Sequence, residues 1–284
     1  MSEMSTERGG RLSRAVEDAR LALRAFRCFE PYDAAKVLLL RGLGRSMTTA
    51  ARVRKGSFRL ALRPTDSDLL VAAQVFAARE YALDRSRTEA LRRLAASWRA
   101  EGITPVIVDA GANVGCSSLF FADTYPDAEV VALEPDPATF EVLLSNARER
   151  PNIVAHTLAL WSDDAGVELQ DGGDRSWSTR VTKSDGRGLR IPSRTLDQVV
   201  ASVPNGRLLI AKIDIEGAER EACGASIELL RNTPCIVIEP HDWMLPGHGS
   251  LQPLMSAVVN GNYDVLLRGE NMFFVRCELA APPA

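Results

Sequence analysis

The chain has 284 residues, is 46% hydrophobic and 25% charged, and carries a formal net charge of −3, as an ordinary soluble globular protein does. Its apolar runs stay short of the ~20 residues that a membrane-spanning helix needs. The Arg- and Glu-rich start lacks the apolar core of a secretory signal. Five widely spaced cysteines (Cys28, Cys116, Cys223, Cys235, Cys277) include no Cys-x-x-Cys, which fits reduced thiols in a cytoplasm rather than a disulfide framework.

The charge is uneven along the chain. Residues 1–60 hold 13 Lys and Arg against 6 Asp and Glu, so the remainder is strongly acidic. A basic arm of this kind suits a solvated helix or an acidic partner. Without interleaved aromatics it argues against nucleic acid.

In chain order, residues 1–10 show no periodicity and read as a disordered start. Residues 11–104 read as a mainly helical extension. Leu12, Val16, Ala19, Leu23 and Phe26 recur near helical spacing, and Pro31 breaks that helix. Residues 58–62 alternate as a strand, helix follows to about Tyr81, and a second helix spans Thr88 to about Ala100. From residue 105 to 278 short apolar runs alternate with helical segments. Strands are expected at 106–108, 129–133, 153–157, 208–213 and 236–239. Runs at 263–267 and 272–276 close the chain as an antiparallel hairpin, before a tail at 279–284. This order predicts a Rossmann-like α/β domain, mostly parallel with an antiparallel edge. Loops are expected at 171–174 and 185–188.

Four patterns carry chemistry. Val108-Asp109-Ala110-Gly111-Ala112-Asn113-Val114-Gly115 ends a strand, turns tightly and opens a helix. Its Gly-x-x-x-Gly spacing departs from the Gly-x-Gly-x-x-Gly of a pyrophosphate loop, and the Asp109 carboxylate would repel phosphate. Glu134 ends the next strand, where an acid accepts ribose hydroxyls; Asp136 beside it also suits a helix cap. Together Asp109 and Glu134 favour an adenosine ligand bearing an amino acid. Third, Lys212, Asp214 and Glu216 alternate with apolar residues at the carboxyl end of a later strand, the ligand-binding edge of such sheets. Fourth, His241 follows the strand ending near Glu239, placed to act as a general base with a pKa near neutral, oriented by Asp242 or Glu239.

The Asp109–Gly115 loop, Glu134-Pro135 and Lys212-Ile213-Asp214-Ile215-Glu216-Gly217-Ala218-Glu219 resemble the FkbM-type family of methyltransferases. Arg194-Thr195-Leu196-Asp197 and the segment from Thr65 to Tyr81 are similar to it as well. The resemblance covers roughly residues 58–276. It implies S-adenosylmethionine as cofactor and a hydroxyl as the usual acceptor, often on a sugar or a polyketide-like natural product. The candidate cofactor site is then Asp109, Gly111, Asn113, Gly115, Ser117, Ser118, Glu134 and Asp136, with Trp161 and Asp163 near the adenine. The candidate catalytic residues are His241, Asp214, Lys212 and Glu216. If a divalent metal takes part, Asp214 and Glu216 are its ligands.

The expected partner is a small hydroxylated acceptor, with the N-terminal extension covering it or joining a homodimer. A nicotinamide-dependent reductase is the rival enzyme, but the chain lacks the phosphate loop and a Tyr-x-x-x-Lys pair. A nucleic-acid methyltransferase would need an amine-activating Asn-Pro-Pro-Tyr loop, which is absent after the fourth core strand. A non-enzymatic scaffold would not keep all three acidic strand ends.

Overall fold

The computed structural model describes residues 3–54, 56, 58–170, 180–183, 189–259 and 261–279. The predicted loops at 171–174 and 185–188 lie outside these, as do residues 1, 2 and 280–284. The chain divides into two compact units, residues 1–79 and 80–284. Among the described residues no helix is long and apolar enough to cross a membrane.

The first unit contains α1 (Glu3–Cys28), α2 (Pro31–Gly42), β1 (Thr49–Arg52), β2 (Arg59–Leu62) and α3 (Asp68–Ala72). A π-helical turn, Ala73–Ala78, follows α3. Helix α1 starts at Glu3, within the stretch where the sequence shows no periodicity, and Glu, Met and Arg there have good helix propensity. Pro31 opens α2, at the first-turn position where its missing N–H costs nothing. The strands pair antiparallel over buried Phe29, Leu60, Leu62 and Leu69. Two buried acids tie this unit together. Asp33 accepts the Arg52 amide at 2.9 Å, and Asp68 accepts the Arg63 amide and guanidinium at 2.7–3.0 Å.

The second unit begins at Glu80, earlier than the sequence places it. Helix α4 (Arg85–Ala100) belongs to it. Asp84 caps α4, Arg92 and Arg99 donate to the carbonyls of Thr124 and Asp127, and Arg207 stacks 4.4 Å over Trp98. Then come β3 (Thr104–Ala110), α5 (Cys116–Thr124), β4 (Glu129–Leu133), α6 (Pro137–Ala147) and β5 (Ile153–His156). Beyond them lie β6 (Ala159–Leu160), β7 (Val167–Gln170), β8 (Arg180–Lys183), β9 (Leu189–Ile191) and β10 (Ser193–Arg194). The rest is α7 (Leu196–Ala201), β11 (Gly206–Ile213), α8 (Glu219–Ala225), α9 (Ile227–Arg231), β12 (Cys235–Ile238), α10 (Gln252–Val258), β13 (Tyr263–Arg268) and β14 (Asn271–Arg276).

Seven strands form the main sheet in the order β13-β14-β12-β11-β3-β4-β5. Strands β12, β11, β3, β4 and β5 run parallel, and β14 and β13 complete one edge antiparallel. This is the Rossmann-like α/β architecture that the strand–helix alternation predicts. The parallel strands are apolar on both faces because helices cover both; Val106, Val108, Val131, Leu133, Ile213, Ile236 and Ile238 form one continuous core with Leu196 and Leu254. From β3 the chain winds outward to β4 and β5, then returns to β11 on the other side. The crevice at this reversal, outside the carboxyl ends of β3 and β11, is where open α/β sheets take ligands.

A second feature escapes sequence reading. Strands β8, β7 and β9 form a small antiparallel sheet, and β6 pairs with β10. Among the described residues its core is Ala159, Val167 and Ile191, with Trp161, Leu169 and Val181 packed around. Strands this short and polar carry too little periodicity to be read in advance.

Candidate active site

Register places Lys212 of β11 beside Asp109 of β3, so their side chains meet on one face. Asp109 is wholly buried. Its Oδ2 accepts the Ser117 and Ser118 hydroxyls at 2.7 and 2.5 Å, and its Oδ1 lies 3.2 Å from the Lys212 ammonium. Lys212, 1% exposed, also donates to the carbonyls of Ala110 and Gly111 and lies 3.4 Å from Oδ2 of Asp214. These acids hold its pKa above the usual lysine value although burial alone would lower it. The sequence sets Asp109, Ser117 and Ser118 against the ligand and Lys212 against the acceptor. In the structure Asp109 contacts the other three. They form a strut that fixes the glycine loop to the end of β11, because a buried charge is tolerated only when paired.

The loop needs its glycines for two reasons. Gly111 sits at φ +74, and a Cβ there would lie 1.8 Å from the Asp214 carbonyl oxygen. Gly115 sits at φ +86 as the residue before α5, where a Cβ would meet Leu143. Asn113 adopts φ +51, and its side chain accepts the Val114 amide at 2.7 Å. Its own amide donates to Oε2 of Glu134 at 2.8 Å.

Glu134 stands just past β4 and is 8% exposed. Its other oxygen accepts the Asp136 amide at 2.9 Å. Burial raises its pKa to about 7 despite these two hydrogen bonds. Asp136 is the N-cap of α6, accepting from Thr139 and from the Ala138 amide. Trp161 and Asp163 lie after β6. Asp163 accepts the Ala165 amide, and Trp161 packs on the small sheet's core.

Across the crevice the acids behave differently. Asp214, Glu216 and Glu239 remain about a quarter exposed around a buried His241. The backbone brings them together. The Asp214 amide donates to Ala110 and the Glu239 amide to Ile213, while Glu216 turns back at φ +53 followed by Gly217 at φ +98. A non-glycine residue held left-handed is costly and marks functional sites. His241 Nδ1 lies 2.7 Å from Oε1 of Glu219, which is fully buried. The residue orienting His241 is therefore Glu219, not Asp242 or Glu239. Asp242 accepts the Ser250 amide at 2.6 Å and closes the following loop.

Electrostatics also alter the expectation for His241. Burial alone would lower its pKa, but the hydrogen bond with Glu219 and the nearby Glu239 and Glu216 carboxylates raise it to about 10. With these partners it is an imidazolium at neutral pH and holds its proton. Burial and the neighbouring carboxylates raise Glu216 to about 7, and burial raises Asp214 as well. Two participants escape sequence reading as site residues. Glu219 closes the Lys212–Glu219 motif, but it reads there as one of two first-turn acids of α8, beside Glu221. Tyr81, 9% exposed, packs against Phe121 and lies 6.0 Å from the Lys212 ammonium, with nothing in the sequence to connect it with β11.

Comparison with known proteins agrees with these motifs. The Methyltransferase FkbM domain matches residues 109–258, more than half of the chain. Methyltransferase 1 of Beauveria bassiana is 26% identical over 138 residues, covering 40% of this chain and 55% of its own. The hexuronic acid methyltransferase AglP of Haloferax volcanii is 24% identical over 137 residues, covering 48% and 56% respectively. The chain thus spans about half the length of these curated relatives. Among solved structures, a methyltransferase of Geobacter sulfurreducens overlays with a TM-score of 0.35 at 14% identity, covering 74% of this chain and 90% of that one. The precorrin-6y C5,15-methyltransferase of Geobacter metallireducens gives 0.34 at 12% identity, covering 64% and 84%. The profile spans the glycine loop, Glu134 and the carboxylate–histidine cluster in one stretch, and on that match this chain belongs to the FkbM methyltransferase family.

Proposed function

We propose that this chain transfers a methyl group from S-adenosylmethionine to a hydroxyl oxygen of a small molecule, such as a sugar or a polyketide-like natural product. One observation carries the reading: a buried acid at the end of β4 and a partly open acid–histidine cluster at the ends of β11 and β12 lie at the carboxyl edge of the same sheet.

The residues present fit the cofactor. Each oxygen of Glu134 accepts one backbone amide and keeps a second lone pair, so the carboxylate can take both hydroxyls of a ribose. Gly111, Asn113 and Gly115 present backbone at the ligand edge without bulk. Asp109, Ser117, Ser118 and Lys212 act as positioning residues. Asp136 holds α6 in place behind Glu134, and Trp161 and Asp163 border the adenine side. When bound, the cofactor supplies an already activated methyl carbon. The chain's work is then to align the acceptor and remove its proton. Asp214, Glu216 and Glu239 face the acceptor, and a carboxylate with a pKa near 7 suits a base working at neutral pH. His241 gathers these carboxylates.

The hexuronic acid named for AglP favours a sugar acceptor, a class rich in hydroxyls. The basic N-terminal extension is assigned to acceptor recognition or to a homodimer, in a cytoplasmic enzyme. Calorimetric titration with S-adenosylmethionine tests the cofactor assignment. Glu134→Ala removes charged hydrogen bonds worth about 1.5–3 kcal/mol each, so affinity falls at least tenfold. Unchanged affinity in that variant contradicts the assignment. A mass-shift screen over hydroxylated metabolites then identifies the acceptor.

A further inference from the structure

His241 is 2% exposed, and its two ring nitrogens keep different company. Nδ1 meets Glu219 at 2.7 Å. Nε2 faces three carboxylates: Glu216 Oε2 at 3.5 Å, Glu239 Oε1 at 3.6 Å and Asp214 Oδ1 at 3.9 Å. All three distances exceed the roughly 2.7–3.2 Å of a hydrogen bond. Asp214 turns its other oxygen to Lys212, which leaves Oδ1 for the cluster. One donor atom each from Asp214, Glu216 and His241 lies within 4.8 Å of the others.

Two independent features point beyond a set of acids. The first is the buried histidine with its far nitrogen clamped by a carboxylate, the arrangement by which proteins orient metal-ligating histidines. With Nδ1 held by Glu219, Nε2 is the nitrogen turned to the cluster, and an ion bound there takes the place of its proton. The second is the charge count. Four carboxylates (Asp214, Glu216, Glu219, Glu239) surround this point, against His241 itself and Lys212, which is already shared with Asp109.

We propose that Asp214, Glu216 and His241 bind a divalent cation, with Glu219 as the positioning residue behind His241. An octahedral ion with bonds of about 2.1 Å sets adjacent donors roughly 3 Å apart and opposite ones roughly 4.2 Å apart. The observed 3.5 and 3.9 Å fall between those values. Oxygen donors with one imidazole suit magnesium or manganese. Three protein ligands leave coordination positions open, and the left-handed Glu216 is the strained residue that closes the set. The use of the ion rests on the proposed methyl transfer. A hydroxyl beside a divalent cation is more acidic, and Glu239, outside the ligand set, is the carboxylate that receives its proton. The acceptors favoured are those whose hydroxyl has a second oxygen next to it.

The test is manganese binding to the full chain after treatment with chelator, read from the paramagnetic resonance signal of free Mn²⁺. The wild type is expected to take up one Mn²⁺ per chain. Glu216→Gln and Asp214→Asn are expected to weaken it at least 100-fold, and Glu219→Gln about 10–100-fold. Absence of stoichiometric uptake by the wild type, or unchanged uptake by Glu216→Gln, overturns the proposal. Calorimetry with S-adenosylmethionine on the same samples reports folding and separates the two readings. Protein that binds the cofactor but not Mn²⁺ overturns the metal site and leaves methyl transfer standing. Protein that binds Mn²⁺ at this cluster but not the cofactor supports the site and overturns its assigned use.

Discussion

The two sides of the crevice hold similar residues and treat them in opposite ways. On the β3 and β4 side, Asp109 and Glu134 are both under 10% exposed; their oxygens accept from serine hydroxyls or backbone amides, and Asp109 is ion-paired with Lys212. On the β11 and β12 side, Asp214, Glu216 and Glu239 stay partly open and converge on one imidazole. An acid whose charge is paired within the chain, as that of Asp109 is by Lys212, is part of the scaffold, whereas Glu134 accepts only amides and keeps a lone pair on each oxygen. An acid left short of positive charge at a ligand edge is available for chemistry.

The largest effect that would break this contrast is at Lys212. Replacement by Met leaves Asp109 buried and unpaired, which costs about 3–5 kcal/mol. Urea denaturation should show that loss. Adding Asp109→Asn should recover part of it, because the uncompensated charge goes with the carboxylate. Equal destabilisation of the single and double variants would show that Lys212 is not a strut. On the open side, Glu216→Gln should leave the urea midpoint within about 0.5 kcal/mol, as for most partly exposed sites. Turnover should nevertheless fall about 10²–10⁴-fold.

The contrast was only half legible in the sequence. The apolar runs at 106–108, 129–133, 208–213 and 236–239 announce parallel strands, because strands covered on both faces must be apolar throughout. The same logic placed Glu134, Asp214 and His241 at strand ends. What the sequence withholds is direction. Whether Asp109 looks toward a ligand or toward Ser117, Ser118 and Lys212 is decided by the Lys212–Asp109 register between strands a hundred residues apart. That Glu219 rather than Asp242 holds His241 depends on how α8 packs beneath the cluster. Helix α4 reads as part of the extension because its amphipathic pattern names no partner. The stacking of Arg207 on Trp98 assigns it to the sheet.

A smaller effect sharpens the comparison through pH. The Glu134 carboxyl is raised to about 7 by burial, and only its ionised form accepts two hydroxyls. Cofactor affinity should therefore be full above about pH 7 and weaken as pH falls through that value. Glu134→Gln should be weaker at all pH values, without this inflection. For stability the sign reverses. A carboxyl whose folded pKa is raised favours the folded state when protonated, so this group's contribution is lost as pH rises from about 4.5 to about 7. An affinity profile that is flat from pH 6 to 8 in the wild type would remove Glu134 from the ribose. The smallest effect belongs to Asp136, the N-cap of α6. Asp136→Ala should cost about 1 kcal/mol, read as a lowered melting temperature, with cofactor affinity changed far less than by Glu134→Ala.

The most direct test of the division between the two sides is calorimetric titration of S-adenosylmethionine into three proteins: the wild type, Glu134→Ala and Glu216→Gln. The account predicts one equivalent bound by the wild type, at least tenfold weaker binding by Glu134→Ala, and binding by Glu216→Gln within twofold of the wild type. No binding by the wild type, or equal losses in the two variants, would contradict it.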